Sequence, residues 1–140
     1  MVEKADVQPK PVPRPDDLSR PFFEGTTRGA LMIQRCKRCE THLYPGSRIC
    51  TECLGEELDW VQASGRGTLF TFGIMHQRYH PGFVDDLPYN VAVVELEEGP
   101  RLNTNMVGVE NEALRVGMPV EVVFEELSDE VSLPKFRPAS

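Results

Sequence analysis

Four cysteines leave this chain few ways to fold between residues 36 and 53. The sequence reads Cys36-Lys37-Arg38-Cys39, then ten residues, then Cys50-Thr51-Glu52-Cys53. Two residues between cysteines let both sulfurs of a tight turn point at one ion, and two such knuckles complete a tetrahedral sulfur site. The linking residues, with Pro45-Gly46, suit a short ribbon that brings the knuckles together. Sulfur-only ligation selects zinc or iron over magnesium or calcium. Zinc is favoured over a single rubredoxin-like iron. With no open coordination position implied, one structural Zn2+ on Cys36, Cys39, Cys50 and Cys53 is expected. Lys37 and Arg38 offset the charge of four thiolates, and His42 reads as a loop histidine, not a fifth ligand.

Composition narrows the partners. A length of 140 residues suits one ordinary domain or two very small ones. Net charge is −7, and it is unevenly spread. Residues 1–65 carry nine Lys/Arg against ten Asp/Glu, whereas residues 66–140 carry six against twelve, a net of −6. That half repels a phosphate backbone, since counterion release needs basic side chains facing the polyanion. No nucleic-acid partner is therefore expected, and a single-stranded nucleic-acid-binding module is kept only as the lesser alternative. No apolar run approaches the roughly 18 residues of a membrane span, so no membrane partner is expected. The start, Met-Val-Glu-Lys-Ala-Asp, has no apolar signal core. The chain is expected in the cytoplasm, where thiols stay reduced.

Three stretches follow along the chain. Residues 1–15 contain Pro9, Pro11, Pro13 and Pro15; alternate prolines bar a helix and favour an extended arm or linker. Residues 16–64 hold an N-terminal helix and the ribbon. Asp16, Asp17 and Ser19 offer capping oxygens, Pro21 suits a first turn and Gly29 can close the end, so a helix is expected over 16–29. Phe22 and Phe23 are its apolar anchors. Residues 30–35 read as a strand entering the first knuckle.

From 65 to 140 the signals are strands. Thr68 to His76 places Phe70, Phe72 and Ile74 on one face by alternation. Tyr89 to Leu96 is a second strand, Glu97-Glu98-Gly99-Pro100 a turn, and Arg101 to Val109 a third. One helical turn is expected over Asn111–Arg115, then strands over Val120–Glu126 and Val131–Phe136. Three strands, a short helix and two strands is the order of an OB-fold, a five-stranded Greek-key barrel; another small barrel fits the same periodicity. The expected fold is mostly β: N-terminal helix, rubredoxin-like zinc ribbon, five-stranded OB-fold barrel.

Catalytic chemistry is not assembled. With the cysteines on metal, no thiol nucleophile remains, and neither a Gly-x-Ser-x-Gly elbow nor a phosphate-binding glycine loop appears. Asp85 and Asp86 are adjacent and point opposite ways on an extended chain. No catalytic residue is assigned. One contact surface stands out between the first two barrel strands, in Tyr79 to Pro88, where aromatic and apolar residues replace the polar ones of a plain solvent loop. Capping of the barrel end by Phe83 and Leu87 explains the same residues equally well.

These residues resemble the family of zinc-ribbon/OB-fold acyl-CoA-associated proteins, long labelled a domain of unknown function. The likeness spans about residues 20–138. It runs through Pro21-Phe22-Phe23, Leu31 to Cys36, Cys39, Tyr44-Pro45, Cys50 and Cys53. It continues through Ser64 to Thr68, His80-Pro81-Gly82-Phe83, Glu98 to Asn105, Val116 to Val120 and Leu133 to Pro138. The family commonly has glycine after the second cysteine and proline after the third; here they are Glu40 and Thr51. The resemblance implies a noncatalytic accessory subunit in an α2β2 complex with a thiolase-fold enzyme, such as a thiolase, a condensing enzyme or a retro-aldol lyase of steroid side-chain degradation. It implies that the acyl-CoA ligand is shared with that partner. Some members are instead fused to, or assembled with, hot-dog-fold enoyl-CoA hydratases of the MaoC type. By this analogy Phe22 and Phe23 dock on the partner, and His80, Pro81, Gly82 and Phe83 face the substrate channel.

Overall fold

The computed structural model describes residues 11–139. Residues 1–10 of the expected arm, with Pro9, lie outside the described residues, and residues 11–16 form no regular element.

The helix is shorter than its capping signals implied. α1 spans Arg20–Thr27. Asp16 and Ser19 turn their oxygens on each other: Ser19 N donates to Asp16 Oδ1 at 2.7 Å and Asp16 N donates to Ser19 Oγ at 3.0 Å. This reciprocal pair uses the capping oxygens one turn early and leaves residues 17–19 as a turn. Those N–H contacts, the Ser19 backbone foremost, hold the Asp16 carboxyl below its usual range. Gly29, at φ +80, ends the segment. Eight residues do not hold a helix alone in water. α1 persists because Phe22 is 8% exposed, its ring tilted against that of Tyr44 at 5.5 Å, and because Thr26 Oγ1 accepts from Ser132 N at 3.3 Å.

The ribbon is a three-stranded antiparallel sheet of β1 (Met32–Cys36), β2 (His42–Leu43) and β3 (Leu58–Gln62), ordered β2-β1-β3. The strand β3 was not anticipated. It carries apolar Leu58, Trp60 and Val61 and pairs along all of β1, with Gln34 opposite Trp60. Buried Gln34 fastens the ribbon loop: its Oε1 accepts from Ser47 N at 2.7 Å and its Nε2 donates to Ser47 O at 3.1 Å.

The barrel is a curled sheet in the order β6-β5-β4-β7-β8. Its strands are β4 (Arg66–Met75), β5 (Tyr89–Leu96), β6 (Arg101–Thr104), β7 (Pro119–Glu126) and β8 (Ser132–Pro138). A single parallel bridge, Met106 with Phe136, brings the β6 end against β8. A 3₁₀ turn at Asn111–Ala113 precedes β7, so the element order is that of the OB-fold. The third barrel strand stops at Thr104, five residues short of its expected end. There Asn105 and Met106 leave the ladder: Met106 N donates to Asn90 Oδ1 at 2.6 Å, and Asn105 Nδ2 donates to the Asn90 carbonyl.

The alternation expected in β4 is broken. Register shifts between Leu69 and Thr71, making Phe70 the extra residue of a bulge. Leu69 is fully buried, while Phe70 is 43% exposed, with the Arg101 guanidinium 3.8 Å over its ring. Phe72 and Ile74 pack on the core as expected.

One core crosses the boundary near residue 65. Phe22, Leu31 and Ile33 join Leu69, Val94, Leu102, Val120 and Phe136 in it, with Trp60 and Tyr44 packed against them. Gly65, at φ +82, makes the crossing, and a Cβ there would come within 2.6 Å of Val122 Cγ1. Only glycine fits that backbone and that space.

Candidate metal centre and contact surfaces

The four thiols converge. Cys36 and Cys50 are completely buried, Cys53 is half-buried and Cys39 is exposed. Cys36 Sγ lies 3.6 Å from Cys53 Sγ, and Cys39 Sγ lies 3.5 Å from Cys50 Sγ. All four sulfurs are within 4.8 Å of one another. With Zn–S bonds near 2.3 Å, tetrahedral sulfurs sit about 3.8 Å apart, so the donor set and its spacing fit one structural zinc ion.

Backbone geometry makes each knuckle. Glu40 N donates to Cys36 O at 2.9 Å, and Leu54 N donates to Cys50 O at 2.9 Å. In both knuckles the residue after the second cysteine is left-handed: Glu40 at φ 65 and Leu54 at φ 63. A side chain is disfavoured at that angle, and glycine would adopt it without strain. Arg35 partly compensates Glu40 with an ion pair at 2.9 Å.

The sulfurs are not equivalent. The Thr41 hydroxyl and backbone beside Cys39 lower that thiol to about 6. The Gly55 backbone acts to lower Cys53, but burial and the crowd of neighbouring thiols outweigh it and raise the thiol to about 11. The small core at this tip holds only Cys36, Leu43 and Cys50, with Cys53 and Leu58 packed against them. A core that small cannot fold the tip by burial alone, so the ion supplies its cohesion.

Phe22 and Phe23 part company in the structure. Phe22 belongs to the chain's own core; Phe23, 5.2 Å away between centroids, is half-buried at the rim of a cavity of about 340 Å³. That cavity lies where α1, the ribbon and the barrel meet, between Tyr44, Trp60, Asn105 and Lys135. Lys135 Nζ donates to Asn105 Oδ1 at 2.5 Å and sits 3.6 Å from Glu125.

His80, Pro81, Gly82 and Phe83 lie together in and just before a 3₁₀ segment, Pro81–Asp86. His80 Nδ1 accepts from Gly82 N at 2.9 Å, which leaves the ring proton of a neutral imidazole on Nε2. His80 and Phe83 meet edge to face at 5.7 Å, and Phe83 meets Tyr89 at 6.0 Å. Sequence reasoning missed the base that carries this loop. Buried Asn90 donates to Met106 O at 2.9 Å and to Asn111 Oδ1 at 3.1 Å, and Asn111 reaches Pro88 O at 3.4 Å. An asparagine inside an apolar strand, Tyr89 to Leu96, was the available signal.

Two family models cover most of the chain: the ChsH2 rubredoxin-like zinc ribbon domain over residues 23–59, and the ChsH2 C-terminal OB-fold domain over residues 60–125. The chain belongs to the ChsH2 zinc-ribbon/OB-fold family. A solved chain of the "Ltp2-ChsH2(DUF35) aldolase" superposes with a TM-score of 0.82 at 38% identity, covering 92% of this chain and all of that one. A "probable enoyl-CoA hydratase alpha subunit" of Thermomonospora curvata is 39% identical over 95% of this chain. This ChsH2-family chain spans only 40% of that relative's length. A "DUF35 domain-containing scaffold protein" of Methanocaldococcus jannaschii is 34% identical over 74% of this chain and 73% of its own length. The family match agrees with the zinc ribbon, the barrel and the acyl-CoA-associated resemblance read from the sequence. Among the described residues, no helix is long and apolar enough to cross a membrane.

Proposed function

We propose that this chain is a noncatalytic, zinc-stabilised subunit of a cytoplasmic acyl-CoA-processing complex. It docks on a thiolase-fold enzyme, a thiolase, condensing enzyme or retro-aldol lyase of side-chain degradation, in an α2β2 assembly. It helps hold the CoA ester, with the loop His80 to Phe83 toward the substrate. The observation that carries this reading is the full-length likeness to the ChsH2 chain of an aldolase. The absence of an assembled acid, base and nucleophile in the sequence fits a supporting role. Phe23, half-buried beside the inter-element cavity, is the docking residue of choice; Phe22 acts by holding α1 in place.

Coexpression with the thiolase-fold enzyme encoded nearby tests it. The two chains are expected to copurify, and the enzyme alone to lose most of its activity on the CoA ester. Phe23→Ala is expected to weaken association at unchanged thermal midpoint. A partner fully active alone that never copurifies ends the proposal. Copurification with a hot-dog-fold hydratase instead would select the second reading, which rests on the printed name of the Thermomonospora relative.

A further inference from the structure

We infer that Cys39 is a modification site, the point at which a hydroperoxide oxidises the ribbon tip and empties it of metal. Of the four thiols Cys39 alone is exposed; Cys53 is half-buried, and Cys36 and Cys50 are completely buried. Cysteine oxidation follows thiolate character and exposure. A metal-ligating sulfur is a thiolate at every one of the four positions, so exposure decides among them. Behind Cys39 Sγ, at 3.5 Å, lies the buried Cys50 Sγ, and Cys36 Sγ lies 3.6 Å from Cys53 Sγ. Each of these contacts joins one knuckle to the other. Cys39 therefore faces solvent on one side and a resolving sulfur on the other, the arrangement of an oxidant-sensing cysteine. The chemistry needs the four-thiol site and no partner, so it stands apart from the proposed function.

The oxidation takes two electrons. The Cys39 sulfur attacks one oxygen of hydrogen peroxide, the O–O bond breaks, and a sulfenic acid forms as hydroxide leaves. The Cys50 thiolate then attacks the Cys39 sulfur and expels a second hydroxide, closing the pair from 3.5 Å to the roughly 2.05 Å of a disulfide. Each sulfur has given up one electron, and both hydroxides take protons from solvent, so one peroxide becomes two waters. A site left with two sulfurs lacks the four-ligand set of a structural zinc. A second peroxide joins Cys36 to Cys53 in the same way. Both disulfides tie knuckle to knuckle, so the small core of Cys36, Leu43 and Cys50 stays closed without its ion. A dithiol reverses both bonds.

Hydrogen peroxide added to the full zinc-loaded chain, without partner, tests it. Zinc release is followed with a colorimetric chelator, and sulfenic acid is trapped with dimedone and mapped by peptide mass spectrometry. The first dimedone adduct is expected on Cys39. Zinc release should follow, with disulfides Cys39–Cys50 and Cys36–Cys53, and dithiothreitol with added zinc should restore the native form. Cys39→His keeps a four-ligand site of the Cys3His type and is expected to slow peroxide-driven release by ~10-fold or more, whereas Cys53→His releases at close to the native rate. Where Cys39→His holds no zinc, the adduct and disulfide maps of the native chain decide. A first adduct on another cysteine, disulfides within a knuckle, equal slowing in the two variants, or a native chain that carries no zinc overturns the inference. Because no partner is present, such a failure is separate from any failure of copurification.

Discussion

Single residues carry separable burdens. Leu54 is 70% exposed at φ 63, so its side chain contributes little and its backbone angle is unfavourable. A left-handed non-glycine residue costs roughly 1–2 kcal/mol, and glycine's greater freedom when unfolded offsets about 0.4–1 kcal/mol. Leu54→Gly is therefore expected to stabilise the protein by up to about 1 kcal/mol, read as a higher urea midpoint at constant zinc. Glu40→Gly should gain less, because it gives up the Arg35 ion pair. Asn90→Ala strands the Met106 N–H inside the barrel, an expected loss of about 1–3 kcal/mol, measurable by the same titration. The cysteines were legible because their spacing is itself the chemistry. The roles of Asn90 and Gln34 were not, because a buried amide is defined by partners 16 and 13 residues away, and no local pattern announces them.

At the level of elements, the ribbon has two ends with different supports. Its base packs Ile33 and Trp60 into or against the main core, while its tip rests on the thiols and two leucines. Removing zinc with a chelator is expected to expose the amides of Cys36, Glu40, Cys50 and Leu54 to hydrogen exchange while β5 and β7 stay protected. Loss of protection in all strands at once would show that the tip and barrel melt together. Phe22→Ala is expected to cost about 3–5 kcal/mol, since it empties the joint between α1 and Tyr44. The barrel strands were legible by alternation and by the Glu97 to Pro100 turn. The bulge was not: one inserted residue at Phe70 reverses the faces of everything before it, and period two alone cannot show that. Strand β3 is harder to read although Leu58-Asp59-Trp60 alternates, because it is short and only four residues separate it from the last ligand, Cys53.

For the whole molecule, the acidic barrel and the shared core set the behaviour. Exposed Phe70 lies beneath Arg101, which Glu95 holds at 2.9 Å, so this aromatic is already occupied by a cation. No measurable binding of single-stranded DNA is expected at moderate salt, checked by fluorescence anisotropy; tight binding would contradict the charge argument. The order of helix, ribbon and barrel was readable from the chain. Their fusion into one core was not, because Phe22, Leu31 and Ile33 pack with barrel residues far away in sequence, such as Leu69 and Phe136.

The bridge between Met106 and Phe136 has one more consequence. A barrel drawn shut there by a parallel bridge keeps two strand margins, along β6 and β8, with few backbone partners across the seam. Such margins are templates on which a second chain can add a strand. Here α1 and the ribbon loop stand in front of part of both margins, across the cavity that Asn103, Thr104, Leu133 and Pro134 also line. The N-terminal unit is therefore also a guard against self-association, and a chain stripped of α1 by proteolysis should betray itself first by precipitating.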